Sequence, residues 1–288
     1  MKRVVFNQKG GVGKSSITCN LAAVSAAMGY STLVIDLDVQ GNSSMYLGCD
    51  IHTQTDATHS SNIADLYKSL FGLRRAKKIE ALECVFKTEY ENLSLIPASL
   101  ELSSIEQDLA SRYKYYELKK ALGHLAIHFD RIYIDTPPSL GFYTKSALIA
   151  ADRVLIPFDC DVFAQRALLN VINDLLEIKA KDNKELSIEG IVVNQFTSQS
   201  KLPAELIQEI KSFGIPVLGS YLSNSIKMKM SHAHQTPLIH LDRTHKLTQQ
   251  FVRLFELIED LNAEGLRKDS EVEKIDEVAA FIDELVFE

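Results

Sequence analysis

The sequence predicts a single α/β domain, a doubly wound and mostly parallel sheet with helices on both faces. Three observations predict it. Short β-branched runs recur along the chain. Most are apolar at successive positions instead of alternating, as strands covered on both sides require. Segments with helical spacing separate them, and strand alternating with helix builds a parallel sheet.

Strands are expected at 4–6, 32–35, 93–96, 131–134, 153–156, 190–193 and 217–221, and helices at 15–28, 63–70, 116–127, 164–180, 203–213 and 245–261. Residues 41–62, rich in Ser, Thr, Asn, His and Asp, read as a loop before a short helix. From 262 to 288 there are nine acidic residues against three basic, so most of the chain's net charge of −7 lies in this tail and the body is close to neutral. This divides the chain into a body, 1–261, and an acidic helical tail, 262–288. Within the tail, Ile275, Val278, Phe281, Ile282 and Leu285 form one helical stripe, read as a final helix docked on its own domain.

A charged fraction of 24% against 46% apolar residues is that of a chain able to bury a core. No run of 18 apolar residues and no basic-then-apolar leader is present, so neither export nor membrane spanning is expected. The four cysteines, Cys19, Cys49, Cys84 and Cys160, include no CxxC pair; they suit a reducing cytoplasm and form no metal-ligand set.

The most informative segment follows the first strand: Gln8-Lys9-Gly10-Gly11-Val12-Gly13-Lys14-Ser15-Ser16, running directly into a helix. Glycines there let backbone N–H groups turn inward around an anion at a helix N-terminus. Lys14 would sit on the β- and γ-phosphates of a nucleotide, and the Ser15 hydroxyl would ligate Mg²⁺. Gln8 replaces the first glycine of the general phosphate-loop pattern, so the loop is a variant of it.

This loop resembles that of the ParA/MinD group of P-loop ATPases, KGGxGK[ST], and Lys9 stands at that group's signature lysine. The resemblance implies that Lys9 reaches across a dimer interface to the partner's nucleotide, where an ammonium offsets opposed phosphate charge. Three further segments match the family. Asp36-Leu37-Asp38-Val39-Gln40-Gly41-Asn42 is like its D-x-D-x-Q-G-N stretch, with Val39 where proline is usual. By resemblance Asp36 lies near the metal's water shell and Asp38 orients or activates the attacking water. Asp135, in the stretch Ile134-Asp135-Thr136-Pro137-Pro138, would hold Mg²⁺ through water. Asn194 matches the asparagine that reads the adenine edge. Together the matches run from residue 3 to about 240.

The resemblance therefore implies ATP and Mg²⁺ as cofactors, an ATP-dependent homodimer and slow hydrolysis stimulated by a ParB-like or cargo-adaptor protein. The surface held by the dimer is expected to be nonspecific double-stranded DNA, placing the protein in the cytoplasm on the nucleoid. MinD-like members end in a basic amphipathic helix that binds membrane, whereas this tail is acidic, so no membrane partner is expected. DNA contacts are expected at Lys227 and Lys229, in a segment (222–237) similar to the family's I-P-R-[NS]-V stretch, although Ser223 and Asn224 replace the usual Pro-Arg. Arg74, Arg75, Lys77 and Lys78 read first as a solvated face and second as a DNA contact. The loop begins at residue 8, leaving no room for an N-terminal operator-reading domain, and the chain is most similar to the small partition or positioning type.

Four other readings fit parts of the sequence less well. Nitrogenase-iron-protein-like members share the loop but need paired cysteines, and Cys160 reads as a buried filler. A terminal tyrosine cluster, as in cell-wall tyrosine kinases, is missing from the last 30 residues. A non-hydrolysing scaffold would keep every binding residue and differ only in turnover. His124 and His128, one helical turn apart, and His232 and His234, alternating in a loop, lack a carboxylate–histidine arrangement and read as surface or structural residues.

Overall fold

The computed structural model describes residues 1–52, 61–72, 78–159, 164–196, 208, 210 and 215–265. Its strands are β1 (Lys2–Val5), β2 (Thr32–Asp36), β3 (Phe86–Lys87), β4 (Leu93–Ile96), β5 (Arg131–Asp135), β6 (Arg153–Asp159) and β7 (Ser187–Asn194). They form one sheet in the order β3-β4-β2-β5-β1-β6-β7. Every pairing is parallel except that of the two-residue edge strand β3 with β4.

The helices are α1 (Lys14–Ala27), α2 (Asn42–Tyr46), α3 (Ile63–Phe71), α4 (Leu102–Ser111), α5 (Glu117–Leu125), α6 (Phe142–Ala150), α7 (Ala164–Lys181), α8 (Ile226–Ala233), α9 (Leu238–Leu241) and α10 (Lys246–Gly265). Successive strand residues point to opposite faces, so one apolar run feeds two cores. Val4, Leu33, Ile35, Ile132, Ile134 and Ile156 pack with Tyr67 of α3, Leu122 of α5, Leu148 of α6 and Ile172 of α7. Val5, Val34, Leu95, Tyr133, Leu155 and Val192 face the other way, onto Leu21 of α1 and Leu254 of α10. Among the described residues, no helix is long and apolar enough to cross a membrane.

The element pattern read from the sequence holds with shifted ends, but several features differ: β3, α2, α4, α6, α8 and α9 were not expected, and α2 lies inside the stretch 41–62 read as a loop. The stretch 217–221 makes a single bridge, Val217 to Ile191, instead of a strand. It follows β7 through scattered backbone bonds, Leu218 N–H to Ile191 O and Leu222 N–H to Val193 O. Pro216, with no N–H to donate, offers only its carbonyl to Ile191 N–H. Helix α6 has no amphipathic signal, whereas α4 carries one in Leu102, Ile105 and Leu109 that the reading passed over. In α6 eight of nine residues are buried, leaving no polar face to mark the period. Helix α10 continues through residue 261 to Gly265. The expected helix at 203–213 lies almost wholly outside the described residues. The stripe at 272–287, residues 74, 75 and 77, and Cys160 also lie outside them.

A charged cluster pins β1 to β7 and α10. The guanidinium of the fully buried Arg3 donates to both carboxylate oxygens of Glu189, at 2.6 and 2.7 Å, and to the Tyr133 hydroxyl at 3.0 Å. Glu259 of α10 bridges Arg3 and Arg131. Glu189→Ala leaves the Arg3 charge without its bidentate partner in the interior, so thermal and urea denaturation should show a loss of about 3 kcal/mol. A variant as stable as the parent would refute this role for the pair.

Candidate functional site

The carboxyl ends of the parallel strands meet on one edge of the sheet, where ligands of doubly wound folds sit. β1 delivers the glycine-rich loop, β2 ends in Asp36 and β5 in Asp135. Asp36 and Asp135 are register partners on adjacent strands, so two carboxylates lie side by side. Lys14, Ser15, Ser16 and Asp38 line a cavity of about 530 Å³ there with Gly10, Gly11 and Gly13.

The loop's shape depends on its glycines. Gly11 and Gly13 have φ of 78° and 92°, values unfavourable to any side chain. A Cβ on Gly13 would lie 2.2 Å from the Asn194 side-chain nitrogen. That amide donates to Val12 O at 2.8 Å, and the Gln195 amide donates to Gly11 O at 2.9 Å. Asn194 thus braces the loop from behind, and it is not among the residues lining the cavity. Asn7 holds the entry, with its amide on Pro157 O at 2.7 Å and its carbonyl oxygen accepting from Lys9 N–H at 2.9 Å.

The carboxylates are held by neutral donors. Asp36, fully buried, accepts from Ser44 N–H at 2.8 Å, Ser44 Oγ at 2.7 Å and Asp38 N–H at 3.1 Å. Asp135 accepts from Ser43 Oγ at 2.7 Å, while its Oδ1 is buried with no hydrogen-bond partner. Burial, more than any other cause, raises both carboxyls above the usual range; the Asp135 charge adds to the rise at Asp36. Burial lowers the Lys14 ammonium, and Asp135 and Asp38 oppose that shift. Its Nζ donates to Lys9 O at 3.2 Å. Asp38 is nearly buried and accepts from Gln40 N–H at 3.0 Å.

An ammonium at the end of a glycine loop beside an underbonded carboxylate suits a ligand that carries negative oxygens and a cation together. Among the described residues no three His, Cys, Asp or Glu side chains group to hold a metal by themselves. A cation here would need ligand oxygens to complete its shell, as Mg²⁺ does on nucleotide phosphates. The residues present fit Mg-nucleotide.

Lys9 lies apart from this cavity. Its ammonium pairs with Asp159 at 2.7 Å, and Asp159 closes β6 as the register partner of Asn194. Lys227, in α8, pairs with Asp242 at 2.9 Å and has 23% of its side chain exposed. Lys229 is exposed. His232 is a correction: it lies in helix α8, not in a loop, and reaches the cavity, its Nε2 2.9 Å from Ser16 Oγ and its ring edge-on to Tyr46. Only its distance from the loop in sequence hid it.

Comparison with known proteins decides the family. An AAA domain model matches residues 2–188. The chromosome partitioning protein ParA of Myxococcus xanthus is 31% identical over 252 residues, 87% of this chain and 84% of that protein. The chromosome-partitioning ATPase Soj of Treponema pallidum is 33% identical over 244 residues, 84% of this chain and 90% of that one. The chain belongs to the ParA/MinD family of P-loop ATPases. Cobyrinic acid a,c-diamide synthase from Mycobacterium smegmatis, solved with a bound ATP analog and magnesium, shares the fold: TM-score 0.75 at 24% identity, over 88% of this chain and 92% of that one. The ParA/MinD resemblance read from the loop and its three companion motifs is therefore correct, and the chain is a ParA-like ATPase.

Proposed function

We propose that this ATPase binds Mg-ATP in the cavity at the carboxyl edge, dimerises face to face on ATP and holds nonspecific double-stranded DNA. Slow hydrolysis, stimulated by a ParB-like or cargo-adaptor partner, then releases the dimer. The observation that carries the reading is the meeting of Lys14 and Ser15 on one cavity at the end of the glycine loop, with the buried Asp135 behind the lining and interacting with both. Lys14 would hold the outer phosphates, with the N–H groups from Gly10 to Ser16 cradling the rest. Ser15 and Asp135 would hold Mg²⁺, with Asp36 behind its water shell. Magnesium supplies neutralisation of phosphate charge when bound. Asp38, at the rim, would orient the attacking water and accept its proton. Asn194 would read adenine with the amide oxygen, since its nitrogen is committed to Val12 O.

In this reading Lys9 leaves Asp159 when the dimer forms and crosses to the partner's phosphates, so Asp159 holds it in reserve in the monomer. The DNA face would use Lys229 first, because Lys227 is paired with Asp242. Helix α10 adds exposed Lys246 and Arg253 around a second cavity of about 460 Å³. A cytoplasmic, nucleoid-bound location follows from the same reading, and the names of the partition relatives favour DNA over membrane. The acidic tail, 262–288, is proposed as a helical segment docked on the body, and it begins inside α10, which runs unbroken across residue 262.

The test measures association with unrelated duplex DNA, with ATP, with ADP and without nucleotide, over a salt series. Binding only with ATP, weakening steeply as salt rises through counterion release, is expected. Lys9→Ala should keep ATP affinity and lose both the dimer and DNA. DNA binding that ignores the nucleotide, or an ATP dimer that binds no DNA at low salt, would overturn the DNA reading.

A further inference from the structure

Helix α8 touches the cavity through one side chain that no motif marks. We propose that His232 is a ligand of the nucleotide phosphates, and that through it α8 registers whether the cavity is filled. The proposal rests on the Mg-ATP reading of the cavity.

Ser16 lies in the first turn of α1, where unpaired N–H groups favour an anion, and its hydroxyl lines the cavity. His232 Nε2 lies 2.9 Å from that hydroxyl. A phosphate oxygen within reach of Ser16 Oγ is therefore about one hydrogen-bond length from the imidazole. The ring is held for this contact. It stands edge-on to Tyr46, with centroids 5.0 Å apart and planes at 87°. The Tyr46 hydroxyl accepts from the Asn20 amide at 3.0 Å and hydrogen-bonds Ser231, the residue before His232. Asn20 belongs to α1 and also accepts from Leu238 N–H at 2.9 Å, at the start of α9.

These contacts tie the end of α8 and the start of α9 to the helix that follows the phosphate loop. A phosphate oxygen at Ser16 takes the hydroxyl's single O–H, and an imidazole with its proton on Nε2 can turn that donor from Ser16 Oγ to the negatively charged phosphate oxygen. Helix α8 also carries Lys229 and Lys227, and the latter is tied to Asp242 after α9. Re-pairing at His232 thus acts on the segment assigned to DNA, which links occupancy of the cavity to the exposed cations.

The test uses the full chain and a fluorescent, non-hydrolysable ATP analogue with Mg²⁺. His232→Ala should weaken binding roughly tenfold, the scale of one hydrogen bond to a charged group. His232→Gln, which keeps an N–H donor, should recover most of it. Ser16→Ala combined with His232→Ala should cost less than the product of the single losses, because the two groups serve one ligand oxygen. At saturating analogue, His232→Ala should also bind DNA more weakly than the parent, while its nucleotide-free melting temperature stays the same. Parent-like analogue affinity in His232→Ala would overturn the proposal, and so would a loss of affinity that His232→Gln fails to recover. Tight analogue binding by Lys14→Ala would instead sink the nucleotide site itself, which keeps the two failures distinct.

Discussion

Lys14→Ala is expected to lower ATP affinity by roughly 10³-fold, the scale of removing one partner from a buried charge contact. Three features of the site set that size. The ammonium is almost fully buried, so little water stands ready to replace it. Its charged neighbours are Asp38 on the cavity wall and the buried Asp135 behind it, both of which repel phosphate once the lysine is gone. Its hydrogen-bond acceptor in the structure is a loop carbonyl, Lys9 O, a contact it can give up for a charged oxygen at small cost. The fold should survive, since the truncated side chain leaves a polar, water-accessible rim and no apolar void. Equilibrium binding of labelled ATP by the full chain, with far-UV circular dichroism as the folding control, checks this. Affinity within tenfold of the parent would mean that phosphates sit elsewhere.

Much of this site was legible in the sequence because its residues sit next to strand ends. Lys14 and Ser15 follow β1, Asp36 ends β2 with Asp38 just after it, and Asp135 ends β5; in a parallel sheet those positions converge whatever the intervening chain does. The fold class was legible for the same reason, since apolar strands alternating with helices leave few topologies. What could not be read depends on contacts across sequence distance. His232 lies 216 residues from Ser16 and has no periodic or motif signal. The pairing of Lys227 with Asp242 is equally silent, because a cation's solvent exposure depends on which acid the fold places beside it. Asn194 was found at the correct strand end, but its commitment to Val12 O appeared only with the loop's geometry. The stretch 217–221 has the apolar pattern of a strand, but its pairing with β7 lapses after Leu218, where Leu222 instead of Ser220 donates to Val193 O.

Asp135→Asn is expected to move stability and ligand binding in opposite directions. In the nucleotide-free protein two carboxylates, Asp36 and Asp135, occupy adjacent register positions away from water, and burial raises both above the ordinary carboxyl value of 3.8. A carboxyl raised in the folded state binds its proton more tightly there than in the unfolded chain. Its favourable contribution is complete below the unfolded value and is lost as pH climbs through the folded one. The nucleotide-free protein should therefore lose stability as pH rises above 3.8 toward the raised folded values. Asparagine has no charge to bury and can still accept from Ser43, so at pH 8 the variant should gain about 1–2 kcal/mol, or roughly 2–4 °C in melting temperature. At pH 5 the gain should shrink, because the parent's carboxyls are then largely protonated. Ligand reverses the order. For the parent, Mg-ATP at 100 times its dissociation constant adds about 2.7 kcal/mol. The variant, with no carboxylate for the cation, should gain almost none of this. Thermal denaturation at the two pH values, with and without Mg-ATP, reads all four states. A variant less stable than the parent at pH 8 without ligand would show that Asp135 is held for the fold, and equal stabilisation of both proteins by Mg-ATP would place the metal on other residues. The expected crossing, more stable empty and less stable loaded, is what a buried carboxylate kept for a cation produces.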